Sequence, residues 1–228
     1  MPARSCQEFY SGRYRKEKTM ARRGRPRSFN REDALAQAME VFWELGYEGA
    51  TLTDLQHAMG GITAPSFYAA FGSKEELFRQ AVELYSRTLG APMMQALAEK
   101  PTARAAIQAL LDTAVESFLK PGKPRGCMLV LAAINGTPSN KSVQDYLHGL
   151  RARRRKVIER RLERGVAEGE LPAGVDTAAL ASFVTTVIDG LAIQARDGAT
   201  RKTVRFAVSC AMAAWSQLSN SPAATSST

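Results

Sequence analysis

The residues whose placement first suggests a chemistry are arginines. Ten of the first 31 residues are Lys or Arg against Glu8 and Glu17, a local charge of +8, while the rest of the chain carries only +1 of the formal +9. The densest stretch is Arg22-Arg23-Gly24-Arg25-Pro26-Arg27. Guanidinium groups on an extended, proline-stiffened segment can neutralise phosphates and release their condensed counterions, or enter a narrow minor groove, where the negative potential is enhanced. The charge alone is equally compatible with a solvated tail.

Catalytic chemistry finds little support. His57 and His148 are the two histidines, and Cys6, Cys127 and Cys210 are widely spaced, with no CxxC pair among them. There is no nucleophile elbow, Gly-rich phosphate loop or metal-ligand spacing. The expectation is therefore a protein that is not an enzyme, with no metal, cofactor or disulfide framework. No uninterrupted apolar run reaches the ~18 residues of a membrane span, and Met1 to Lys18 lacks a signal-peptide core. A cytoplasmic protein without a membrane partner is expected. Met20, just ahead of the arginine run, is a candidate translation start.

The elements that position these groups are helices. The 228 residues are 45% hydrophobic, enough for one small and one larger domain, each with a core. Residues 1–29 lack helical periodicity and are expected to form a disordered basic arm. Asn30 can cap a first helix in which Leu35, Ala38, Met39, Phe42 and Leu45 recur at helical spacing, and Gly46 stops it. Thr51-Leu52-Thr53-Asp54 forms a capping box for a second helix, ended by Gly60-Gly61. Thr63 caps a third, with Pro65 tolerated in its first turn and Phe67 and Phe71 turned inward. Ser73-Lys74-Glu75-Glu76 opens a fourth through another capping box. Gly90-Ala91-Pro92 breaks the chain, which places a domain boundary near residue 90. Further helices are expected over about 103–119, 126–134, 140–168, 176–196 and 201–218, with a Ser/Thr-rich disordered tail over 219–228. The fold class is all-α: an N-terminal three-helix, helix-turn-helix domain (30–90) joined to a larger helical domain (91–218).

The run from Thr51 to Leu77, TLTDLQHAMGGITAPSFYAAFGSKEEL, resembles the DNA-binding region of the tetracycline repressor (TetR) family. The resemblance covers about residues 22–90, and Phe67-Tyr68-x-x-Phe71-x-Ser73-Lys74-Glu75 carries it most specifically. The Gly60-Gly61-Ile62-Thr63 turn runs one residue longer than the family pattern. The resemblance implies a transcriptional regulator whose third helix enters a major groove about 12 Å wide. Thr63, Ala64, Ser66 and Ala69 suit the exposed, base-facing side. Tyr68 and Lys74 match the family's phosphate-contacting Tyr and Lys, and Thr51 and Thr53 would add backbone contacts at a helix start.

The resemblance also implies a C-terminal domain that dimerises through its last two helices and encloses an effector pocket. Val184, Val187, Leu191 and Ala195, with Cys210 and Ala214, are the expected dimer-interface residues; packing within one monomer's core is the alternative. Phe118, Cys127, Met128, Leu131, Tyr146 and Phe183 are candidate ligand-binding residues, each also a plausible core residue. Cys127, at a helix start near Lys123 and Arg125, is in addition a candidate sensor of electrophiles or oxidants. The run Arg151 to Arg164 is read as one long helix with a solvated basic face opposite Val157, Ile158, Leu162 and Val166. The expected partners are thus a double-stranded palindromic DNA operator, a second copy of the chain and an unidentified small-molecule effector. An architectural DNA-binding protein without an effector is the competing class.

Overall fold

The computed structural model describes residues 30–132 and 137–219, and among these every regular element is helical. Helix α1 (Arg31–Gly49) sets Glu32 and Asp33 against the positive end of its dipole. It buries Ala38, Met39, Val41, Phe42 and Trp43 along one side. At Gly46 the backbone leaves helical geometry (φ 73°, ψ 172°), so the chain kinks where the sequence places the stop. The next N–H, of Tyr47, donates to the carbonyl of Ala132 at 2.8 Å.

Two short helices follow, α2 (Leu52–Ala58) and α3 (Ala64–Phe71), and then α4 (Lys74–Tyr85). The Ser73 hydroxyl accepts from the Glu76 N–H at 3.0 Å, which is the serine half of the expected capping box. The expected break at Gly90-Ala91-Pro92 does not occur. Ser86–Gly90 form a π-helical turn that runs directly into α5 (Ala91–Glu99), with Pro92 in its first turn. In a continuous α-helix the Pro92 ring would collide with the Thr88 carbonyl four residues back. Widening to a π turn relieves that clash without ending the helix.

The remaining helices are α6 (Ala103–Phe118), α7 (Met128–Leu131), α8 (Lys141–Ala167), α9 (Thr177–Arg196), α10 (Arg201–Ala213) and α11 (Trp215–Leu218). Of the expected 126–134 segment, the described residues form a single turn, Met128–Leu131, and 133–134 lie outside the described residues; the expected 201–218 helix divides at Ala214. Helix α5 lies along α6, α1 along α4, and α9 packs on α8, α6 and α10. One hydrophobic cluster runs from Phe42, Phe67 and Phe78 through Trp43 and Tyr85 to Met128, Ile158 and Ile188, and passes without a gap beneath the expected boundary at residue 90.

Helix α9 is long and apolar enough, by length and composition, to cross a membrane, although no such segment was expected. Its Leu180, Ala181, Val184, Ile188, Leu191, Ala192 and Ala195 are buried among the other helices, and its Asp189 pairs with Arg154 of α8. It is a core helix in this fold.

Gly126 packs where no side chain fits. It has φ +84°, and a Cβ there would stand 2.6 Å from the Ala192 carbonyl oxygen. Gly169, at φ +76°, has open space around it. Gly126→Ala is expected to cost about 2–4 kcal/mol through overlap added to backbone strain, and Gly169→Ala about 1 kcal/mol through strain alone. Urea denaturation of the two variants checks this; equal losses contradict it.

Candidate nucleic-acid interface

Helices α2 and α3 are built from their caps. Asp54 N–H donates to Thr51 Oγ1 at 3.1 Å, and Asp54 Oδ2 accepts from the Thr51 N–H at 2.9 Å, so the capping box is complete. The helix ends in a nested pair of bonds, Gly60 N–H to the His57 carbonyl (3.2 Å) and Gly61 N–H to the Gln56 carbonyl (2.9 Å). Both glycines have positive φ, 87° and 80°. The first supplies the left-handed residue such a stop requires; the second is the additional residue of the turn.

Thr63 then caps α3, its Oγ1 accepting from the Ser66 N–H at 3.4 Å while its hydroxyl donates to Ser66 Oγ at 3.0 Å. Phe67 and Phe71 are buried, which leaves Thr63, Pro65, Ser66, Tyr68 and Ala69 exposed and Ala64 half-buried. Tyr68 is 52% exposed, its ring edge-on to Phe67 at 5.3 Å. Small side chains on an outward face allow a helix to approach base edges closely.

Thr51 and Thr53 are exposed beside this face. Lys74 is half-buried, with its ammonium 4.5 Å from the centre of the Tyr47 ring. Burial pushes its pKa below the ordinary lysine value, partly opposed by Glu48 and Asp54. Arg22, Arg23, Arg25 and Arg27 lie outside the described residues.

Arg31 plays a part that sequence reasoning missed. Its guanidinium lies 4.9 Å from the Phe71 ring, donates to the Ala70 carbonyl at 3.3 Å and bonds Gln80. It thereby ties the end of α3 to α1 and α4. Its place beside the helix stripe carried no signal that distinguished it from the rest of the basic arm.

The body contains a cavity of about 230 Å³ walled by Tyr85, Ser86 and Gly90 around the π turn, Met93 and Met94 of α5, Cys127 and Leu129 at α7, and Leu150, Arg153, Arg154 and Val157 of α8. A larger groove of about 750 Å³ over α5 and α6 is more open to solvent. Of the six expected ligand-binding residues only Cys127 lines the smaller cavity. Phe118 and Met128 are buried in the core, Leu131 and Phe183 pack at its edge, and Tyr146 lies under the Arg79 guanidinium at 4.5 Å.

Cys127 is buried beside Tyr85. Burial raises the Tyr85 hydroxyl well above its ordinary pKa, and the neighbouring thiol adds to that. The two cations expected to act on Cys127 are engaged elsewhere: Lys123 pairs with Glu40, and Arg125 donates to the Ala199 carbonyl at 2.6 Å.

The structure corrects two further expectations. Val184, Leu191 and Ala195 are 1%, 3% and 0% exposed within a single chain, so they face their own core and are not available to a partner. Val187 and Ala214 are half-buried and Cys210 is exposed. The outward stripe lies about half a turn round, through Ser182, Thr186 and Ile193 of α9 and Phe206, Cys210 and Ala213 of α10. Phe206 is 70% exposed.

The basic run on α8 is not uniformly solvated either. Arg154 and Arg161 are buried and Val157 is exposed. Arg154 pairs with Asp189, and Arg161 donates to the Pro101 carbonyl at 3.2 Å. The signal was present in the sequence, because Leu147, Arg154, Ile158, Arg161 and Gly165 share the inward face at helical spacing.

An N-capped helix pair with an exposed, small-residue second helix, fused to a helical body with a cavity, defines a helix-turn-helix regulator. Residues 34–81 match the family described as bacterial regulatory proteins, tetR family, and residues 101–211 match the tetracyclin repressor-like C-terminal domain. The transcriptional repressor ComR of Escherichia coli K12 is 30% identical over 197 residues, 86% of this chain and 93% of its own length. Among solved structures, a cysteine double mutant of the regulator CifR, complexed with 26-bp operator DNA, shares 44% identity at a TM-score of 0.80 over 84% of this chain and all of its own. A TetR regulator from Chloroflexus aurantiacus is 25% identical, with a TM-score of 0.73 over 82% of this chain and 94% of its own. The chain belongs to the TetR family of transcriptional regulators.

Thr51→Ala removes the hydroxyl that caps the Asp54 N–H, leaves the Thr51 backbone bond to Asp54 Oδ2 in place, and is expected to cost about 1 kcal/mol. Tyr68→Phe, on the exposed face, should leave stability within about 0.5 kcal/mol. Thermal melts of the two variants check the contrast.

Proposed function

We propose that the chain is a homodimeric repressor that binds a palindromic operator and is released from it by a small molecule held in the cavity beside the π turn. The observation that carries this reading is the outward face at α3, where Thr63, Ser66, Tyr68 and Ala69 are exposed on a helix anchored by Phe67 and Phe71. Thr63 and Ser66 would read base edges, Ala64 and Ala69 would permit close approach, and Tyr68 would donate to phosphate. Lys74, Thr51 and Thr53 would add backbone contacts, and the Arg22 to Arg27 arm would follow a phosphate ridge or the minor groove. ComR bears the name of a repressor, and CifR was solved on operator DNA; both support the reading. Its site of action is the cytoplasm.

Two recognition helices must stand about one DNA turn apart, roughly 34 Å, to read a palindrome. The exposed Phe206 and Ile193 offer the apolar contact that would hold two copies in that relation. Packing of α9 and α10 against a second copy would bury this stripe in a four-helix bundle.

DNA fragments selected by the protein from a genomic library, then measured by fluorescence anisotropy, should show a specificity ratio of about 10³ or more over random DNA. Tyr68→Phe should weaken specific and random binding by similar factors, whereas Ser66→Ala should change the preferred sequence. A ratio near one would sink the reading in favour of an architectural role. Phe206→Glu should give monomers by sedimentation and lose operator binding; an undisturbed dimer would move the interface away from α9 and α10.

A further inference from the structure

Two guanidinium side chains stand in the cavity wall, Arg153 on its exposed side and Arg154 only 8% exposed, and the lining includes no Asp or Glu. Arg154 bonds Asp189 of α9 through Nη2, while its buried Nε has no acceptor. A buried donor without a partner costs about 1–3 kcal/mol; little of the cavity surface is polar, so an entering oxygen would meet this nitrogen as the guanidinium turns away from Asp189. The rest of the wall is largely apolar, with Met93, Met94, Leu129 and Val157 prominent. At about 230 Å³ the space lies below the roughly 300–1,000 Å³ usual for drug-sized ligands.

We propose that this cavity takes a small apolar monocarboxylate, its carboxylate bonded to Arg154 with Arg153 at the entrance and its hydrocarbon part against Met93 and Met94. The proposal rests on the effector reading above and gives that effector a chemical class. A carboxylate matches the planar fork of a guanidinium, and charge-assisted bonds of this kind are about twice as strong as neutral ones. A phosphate would bring a bulkier, more highly charged group against an apolar wall.

The same contact supplies a route to the DNA-binding helices. Asp189, about one-third exposed, lies on the helix that carries the outward stripe, so a carboxylate on Arg154 competes for the guanidinium that ties α8 to α9. Ser86 and Gly90 of the π turn share the cavity wall, so the ligand also touches the joint between α4 and α5. Such differential contacts are what a ligand-driven shift between two states requires.

The test is calorimetry on the full chain with benzoate and hexanoate, set beside their neutral isosteres benzamide and hexanamide, with anisotropy on the selected operator in parallel. The carboxylates should bind once per chain, at least tenfold more tightly than the amides, and release operator at matching concentrations. Met94→Trp, which fills the cavity, should abolish binding. Arg154→Gln leaves Asp189 without its cation and risks the fold, so Arg153→Gln at the entrance is the second variant; it should weaken carboxylates several-fold and leave the amides unchanged. Amides binding as tightly as carboxylates, or neither class binding, would overturn the proposal. If the operator is bound specifically while these outcomes fail, only the ligand class falls. If no DNA sequence is preferred, the regulatory reading falls while calorimetry still decides what the cavity binds.

Discussion

Much of this molecule hangs on the aromatic contact between α1 and α4. Phe42 meets Phe78 edge-on at 5.0 Å, and Trp43 meets Tyr85 in the same manner at 5.0 Å. Edge-to-face pairs of this kind add about 0.5–1.5 kcal/mol each beyond the area they bury, and they fix the rotation of α4 about its axis. That rotation matters because the two ends of α4 serve different purposes. Ser73 and Lys74 at its start adjoin the recognition helix, and Tyr85 at its end stands in the cavity wall. Twelve residues at 1.5 Å each give about 18 Å of rigid rod between the two.

Polar contacts reinforce the same joint from below. The Arg196 side chain, on α9, donates to the Trp43 and Glu44 carbonyls, which α1 leaves unsatisfied where it kinks at Gly46. Glu48, just past that kink, accepts from the Thr137 N–H and hydroxyl and from Asn140, and these bonds hold its carboxyl below the ordinary range. The helix-turn-helix therefore rests on α1, and α1 rests on the body through backbone carbonyls and a carboxylate that apolar packing alone would leave unmet. A change at α9 has a direct physical path to the end of α1.

The first four helices were legible in the sequence because their signals are local. Thr51, Thr63 and Ser73 act within three residues of themselves, and Gly46 and Gly60 act at their own φ. Helix α5 was hidden because Gly90-Ala91-Pro92 has the composition of a break, yet proline in the first turn is compatible with a helix start, and a π turn can carry the chain into it. The ligand-binding residues were mostly misplaced for a different reason. Phe118, Met128 and Phe183 are apolar residues on helices, and periodicity tells which side is buried without telling whether that side faces packed atoms or a space. The dimer-interface residues failed in the same way: α9 has apolar residues around most of its circumference, so its stripe of greatest hydrophobicity is the one its own core takes.

Arg154 shows why composition misleads at a functional site. An arginine in a run of basic residues is ordinarily read as solvated, and on α8 most of them are. Yet Arg154 falls at an inward position, where burying a charge costs several kcal/mol unless a partner meets it. Asp189 meets part of that demand, and only from one side of the guanidinium. A hydrophobic residue of similar length would pack there without any such debt. The buried, incompletely satisfied arginine beside a cavity is therefore better explained by what enters the cavity than by the stability of the helices around it. The same reasoning sets Arg161 apart: it too has unmet nitrogens, but it lies against the carbonyls of Lys100 and Pro101 and 3.7 Å from the Glu170 carboxylate and lines neither cavity, so it joins α8 to the start of α6 and to the turn that follows α8.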